Sequence, residues 1–435
     1  MPYIDRSLLK KENPFNKLID TIVKKEVTKD NIIEMLSQDR NIKVRMSLAE
    51  NSHTPSDILD KLADDKTIVK QLVAVNPNTS SKTLAKLANH RNNFIRQQVA
   101  LNPSTSENIL AKLSDDKVGY IREAVALNSS TPDNVLDKLS QDKDWGVRRA
   151  VTFNPKISTK TLKKLSQDEN KDVRVAVAQN KKTPSEVLTQ LSNDDNWKVR
   201  ETIASNPNTS PEVLEDFFHD SSLAMKSELA KNPSTSVGIL ENLAYNEDKW
   251  VRMHVASNPS TTIDILDQLL EDKERKVRVA VAANPNIPMD LLENLSQDED
   301  DEVRIAIAKH PNTPSDILTK LSKDKNGEVL ITVAENPNTP SDILENFANS
   351  ENNSIRSAVA ANPTTPPKTL AKLANDDDPW VRLDAASNSH TPIEALVKLS
   401  QDEFIEVRQL VASNPNITNN NAPQPQQNKS MTLGM

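Results

Sequence analysis

The chain has 435 residues, 36% of them hydrophobic, with 54 Lys+Arg against 62 Asp+Glu and a net charge of −8. That acidity opposes general affinity for nucleic acid or an anionic membrane. Cysteine is absent, which excludes disulfides, iron–sulfur clusters and thiolate chemistry, and only five glycines occur, which excludes a Gly-rich phosphate loop.

Residues 1–24 are expected to be a leader. They hold no apolar stretch of signal-peptide length, and no run of ~18 apolar residues occurs later, so a soluble cytoplasmic protein without a membrane span is expected. From 25 to 413 the sequence repeats. The pattern A-x-N, usually followed by Pro, recurs from Asn76 through Asn102, Asn128 and onward to Asn414 in steps of 26, with His310 in one slot. Fifteen units result, the unit 51–75 being one residue shorter. Residues 414–435 contain NNNAPQPQQN and are expected to be a disordered tail, too poor in apolar side chains to order itself.

One unit, His310–Glu335, serves for all, with its first residue numbered zero. Thr313-Pro314-Ser315-Asp316 reads as a helix start, Thr as cap, Pro at the first helical position and the carboxylate near the positive dipole end. Ile317, Leu318 and Leu321 (positions 7, 8 and 11) make an apolar stripe on a helix of about ten residues. A second short helix carries apolar residues at 19 and 23 and Ala at 24 in 14 of 15 units, which predicts close approach of a neighbouring backbone. Asn at position zero is expected to end it in the left-handed conformation, with the following Pro blocking continuation. Helices this short do not persist alone in water, so each must bury its stripe against the next unit.

The pattern A-x-N-P-x-T-P-x-x-x-L-x-x-L-x-x-D…V-R-x-x-V-A resembles the leucine-rich repeat variant family across 25–413, and its Asp…Val-Arg element is shared with HEAT and armadillo-type repeats. The resemblance implies an all-α, right-handed superhelical solenoid of alternating α and, in one helix per unit, 3₁₀ segments. It implies no enzymatic activity.

Two columns stand out. Position 20 is Arg in 12 units, among them Arg122, Arg148, Arg174, Arg278 and Arg304; position 14 is Asp in 12, among them Asp116, Asp142, Asp168 and Asp298. Their equal filling predicts a structural ladder in which each Arg pairs with an Asp and with inter-helix carbonyls, since the guanidinium fork satisfies several acceptors. Position 21 is apolar through Val279, Ile305 and Ile331, and with Trp250 it is expected to line a protein-binding surface. The six histidines form no metal-ligand spacing and no acid–base pair breaks the repeat, so no catalytic, cofactor or metal site is expected. The function expected is a non-catalytic scaffold that binds another protein along one face. The alternatives are nucleic-acid binding in a concave groove and a helical-repeat accessory to an enzyme, such as a lyase-like subunit.

Overall fold

The computed structural model describes residues 29–220 and 222–418; the leader 1–24 and residues 419–435 of the tail lie outside the described part. Among the described residues there are 31 helices, all of them α, and no strand. The protein is an all-α solenoid of repeated helix pairs. None of these helices is long and apolar enough to cross a membrane. Packing divides the chain into two units, Met1–Phe217 and Phe218–Met435. The division falls inside the most divergent repeat, 206–231, where Phe217-Phe218 replaces the usual Leu-Ser.

In the repeat 310–335 the first helix is Ser315–Leu321, seven residues long, and the second is Gly327–Glu335, nine residues long. The first is therefore the shorter of the two, and the second is α and not 3₁₀. Ile317, Leu318 and Leu321 from one and Val329, Val333 and Ala334 from the other are all buried, so both stripes meet in one core. The second helix starts on an Asx cap: Asn326 Oδ1 accepts from the backbone N–H of Glu328 at 2.8 Å. Asn41, Asn92, Asp144, Asn170, Asn196, Asp248, Asp300, Asn352 and Asp378 cap their second helices in the same way.

Two local expectations are corrected. Thr313 does not cap the helix that follows. Pro314 holds the cap position without a side-chain bond, while the buried Thr313 hydroxyl donates to the carbonyl of Ile307, six residues back, at 2.6 Å. The extended backbone before Pro turns the hydroxyl toward the preceding helix, whose last carbonyls have no partner inside the helix.

The Asn column is not left-handed either. Asn336 has φ −70° and ψ 127°, ordinary extended backbone. Its role is tertiary. Asn336 Nδ2 donates to the carbonyls of Ala308 at 2.7 Å and His310 at 3.2 Å, both at the C-terminus of the preceding second helix, and its Oδ1 accepts from the N–H of Asn338 at 2.9 Å. Asn102, Asn128, Asn154, Asn258, Asn284, Asn362 and Asn388 repeat this bridge. A short donor that reaches two buried orphan carbonyls explains why Asn stands where many helices end on Gly. The bridge continues through Asn414, which reaches Ala386 and Asn388, and a final turn, Pro415–Thr418, follows; the stack thus runs past 413.

Within each unit the second helices of successive repeats pack on one another, while the first helices stand further apart.

Candidate functional site

The Arg and Asp columns meet across repeats. Arg122 Nε and Nη2 donate to Asp142 Oδ2 and Oδ1 at 2.6 and 2.7 Å, and Nη1 donates to the Asp116 carbonyl at 2.8 Å. The same fork joins Arg148 to Asp168, Arg174 to Asp194, Arg278 to Asp298 and Arg304 to Asp324, while the Asp116 carboxylate receives Arg96. In each pair the Arg belongs to one repeat and the Asp to the next, twenty residues on. The side chains are mostly covered, 8% and 9% exposed for Arg122 and Asp142. Burial pushes the Asp142 carboxyl up, but the hydrogen bonds from Arg122 and from the Asp144 N–H outweigh it and hold it below the usual carboxylate range. The hydrogen bond from Asp142 holds the Arg122 guanidinium above its ordinary value.

The exceptions to the two columns are paired as well. Arg is replaced by Lys70, Lys226 and Leu330, and twenty residues after each the Asp is replaced, by His90, Asn246 and Ser350. All three missing Asp residues are the ones that would have faced a missing Arg. A buried carboxylate without its cation is costly, so the two positions change together.

Exposed apolar side chains occur on both helices of the repeat, Ile263, Met289 and Ile393 on first helices and Trp250 and Trp380 on second ones. At 100° per residue, positions 18, 21 and 25 of the second helix fall within one arc, turned away from buried positions 19 and 23. In the second unit this face carries the four residues singled out from the sequence. Val279 and Ile305, both half-buried, are brought together in an apolar cleft of about 530 Å³, lined also by Ala283, Ala306 and Pro311 and flanked by Glu302 and Lys309. Trp250 is 44% exposed one helix earlier, and the ammonium of Lys276 sits 4.5 Å from its ring centre, a cation–π contact. Ile331 takes the same position one helix later, half-buried, outside the cleft lining. Trp145, Trp197 and Trp380 are exposed as well.

The first unit exposes a second pair of columns; its aromatics Phe94, Tyr120 and Trp145 are candidate anchors by sequence, and what sequence reasoning missed is the apolar run at position 25. Ile68, Phe94 and Tyr120 at position 18 are exposed, with Trp145 one residue before the slot that Gly146 fills in the next repeat. At position 25 of the same four helices Val75, Leu101, Leu127 and Phe153 are exposed too. Four consecutive large apolar residues at a helix-end position held elsewhere by polar residues or Ala were the available signal. Between these rails run Gln71, Gln97, Glu123 and Arg149. Burial and the nearby Asp144 charge push the Glu123 carboxyl up.

The model of the family described as leucine rich repeat variant matches residues 172–196 and 275–300, each a second helix followed by the first helix of the next repeat. Two segments of the chain are thus similar to leucine-rich repeat variants. Among solved structures, the chain is similar to a leucine-rich repeat variant with a novel repetitive protein structural motif, at 24% identity over 51% of this chain and 87% of that one, with a TM-score of 0.39. It is also similar to yeast importin-beta (Kap95p), at 13% identity over 89% of this chain and 63% of that one, TM-score 0.36, and to the karyopherin Kap121p bound to the extreme C-terminus of the phosphatase Cdc14p, at 12% identity over 92% and 56%, TM-score 0.34. This chain thus spans less than two thirds of either karyopherin. No curated protein matches the sequence.

Proposed function

We propose that the protein is a non-catalytic, cytoplasmic scaffold that binds another protein along the exposed face of its second helices. The observation that carries this is the Val279–Ile305 cleft, an apolar recess open to solvent. Contiguous exposed apolar surface of this kind marks sites that a partner covers. Trp250 supports it as an anchor, a large ring presented at the rim of the same face with a cation already stacked upon it. The Arg–Asp and Asn bridges hold the helices that carry these residues, so the face is preformed and little ordering opposes binding.

The test is the pair Ile305→Asp and Ile331→Asp in the full chain, with captured proteins quantified by mass spectrometry against the parent. Capture of a specific partner is expected to fall at least about tenfold, the scale of losing one hot-spot contact, at unchanged far-ultraviolet circular dichroism. Unaltered capture would refute the assignment. Loss of helical signal would refute it too, by showing that the column belongs to the core.

A further inference from the structure

We propose that the loop edge of the first unit, along Arg40, Lys66, Arg91, Lys117 and Lys143, binds a single-stranded nucleic acid through its phosphate backbone and stacked bases. The inference does not rest on the protein-binding reading, which uses residues of the second unit, so either proposal can fail without the other. The net charge of −8 conceals a segregation. Residues 25–205 hold 29 Lys+Arg against 24 Asp+Glu, while residues 206–413 hold 19 against 35. Charge asymmetry of this kind points to an anionic partner for the basic half.

The five cations fill position 15 of five successive repeats, each in the turn between the first and second helix, and Glu169 ends the row. All five are exposed, and none makes a side-chain hydrogen bond or ion pair with the described residues. The carboxylates beside them are already engaged: Asp64 with Lys86, Asp115 with Lys138, Asp116 with Arg96 and Asp142 with Arg122. Repeat 76–101, at the middle of the row, contains no Asp or Glu. There a cleft of about 670 Å³ beside His90 is lined by four cations, Arg91, Arg96, Lys112 and Lys117, and two carboxylates, Asp115 and Asp116. Burial and the charges of Lys70, Arg91 and Arg96 hold the His90 imidazole below its ordinary value. The equivalent clefts of the second unit, around Arg278–Asp298 and Arg382–Asp402, are each lined by four carboxylates and two cations, the reverse balance. Position 15 is acidic in five of the seven repeats from 232 to 413.

Charge and aromatic placement together select the occupant. An exposed cation paired with a carboxylate of an acidic protein contributes little, because both ends stay hydrated and lose side-chain freedom. The same cation on a phosphate backbone releases a condensed counterion, so a row of free, exposed cations is effective on nucleic acid. Exposed rings accompany the row. Phe94 follows Arg91 by three residues, Tyr120 follows Lys117 by three and Trp145 follows Lys143 by two, and their exposures are 42%, 44% and 44%. A ring face stacks on any unpaired base, whereas an acidic peptide has nothing to stack and a duplex keeps its bases inside. Alternation of free cations and exposed rings therefore favours a single strand, bound without sequence preference.

The experiment is fluorescence anisotropy of a labelled twenty-nucleotide oligothymidylate with the full chain over a salt series. Saturable binding is expected, and five phosphate contacts predict a loss of about a hundredfold between about 50 and 200 mM salt, a log–log slope of about −3.5. Arg91→Ser combined with Lys117→Ser should make the slope shallower by about 1.4. Tyr120→Ala should weaken binding about tenfold at unchanged slope, since stacking releases no counterion. Lys273→Ser combined with Lys325→Ser removes the same charge from position 15 of the second unit and should leave binding as it was. Exposed side chains are altered, so the melting temperature should hold; if Tyr120→Ala lowers it, Phe94→Ser is the substitute. Absence of saturable binding at low salt overturns the proposal. So does an unaltered slope for the Arg91–Lys117 variant, an equal loss for the Lys273–Lys325 variant, or tighter binding of a duplex, an oligoglutamate of the same charge or phosphatidylserine vesicles.

Discussion

Replacing Arg278 by Leu isolates the energy held in one rung of the ladder. Arg278 donates two bonds to Asp298, at 2.7 and 3.0 Å, and one to the Asp272 carbonyl at 2.8 Å. The Asp298 side chain is 8% exposed. Without the guanidinium it keeps one donor, the Asp300 N–H at 2.9 Å. A buried carboxylate stripped of its cation costs about 3–5 kcal/mol, and the lost carbonyl bond adds about 1 kcal/mol. The chain itself suggests the rescue, because it uses Leu330 with Ser350, and the Ser350 hydroxyl still accepts the turn N–H of Asn352 at 3.2 Å. Arg278→Leu combined with Asp298→Ser should therefore recover the carboxylate part and remain within about 1–2 kcal/mol of the parent. Urea denaturation of the full chain, followed by circular dichroism through a double-mutant cycle, measures both values. An unchanged midpoint for Arg278→Leu, or a double variant no more stable than the single one, would refute the account of the ladder as a coupled buried pair.

Two further outcomes follow from the same geometry. His310 fills an Asn slot but supplies one bond where Asn supplies two: Nε2 donates to the Asn284 carbonyl at 3.2 Å and Nδ1 accepts from the Asn312 N–H. His310→Asn should gain the missing inter-repeat bond, about 1 kcal/mol, and raise the melting temperature by a few degrees; a lower melt would contradict the bridging role. Asp116, Asp142, Asp272, Asp324, Asp376 and Asp402 are held below their ordinary values when folded. Depressed carboxylates contribute stability that is present above the unfolded value of about 3.9 and is lost as pH falls through the lower folded values. A circular dichroism titration should therefore show full stability near neutrality and a steep loss below about pH 4, and a flat profile there would count against the ladder.

The period, the helix pairs and the buried columns were legible in the chain because local rules and repetition agree. An apolar stripe on too short a helix has one remedy, a copy of itself alongside. Leu318, Leu321, Val329 and Ala334 could be assigned to the core on that ground. The roles of Thr313 and the Asn column were not legible. Both residue types suit helix ends by local preference, and the alternative partners lie in the preceding helix or across repeats, in carbonyls whose positions no local pattern specifies. The pairing of Arg278 with Asp298 follows from composition, but its direction, forward by twenty residues into the next repeat, is set by how the helices stack.

By itself, then, the amino-acid order determined that identical helical modules must share one continuous apolar interior, since each is too small to fold alone. Tertiary packing decided which polar groups bridge the modules and which apolar residues stay outside. Val279 and Leu318 look alike in sequence, and only the arc of the second helix that faces away from its neighbours leaves Val279 and Ile305 lining an open cleft while Leu318 is fully covered.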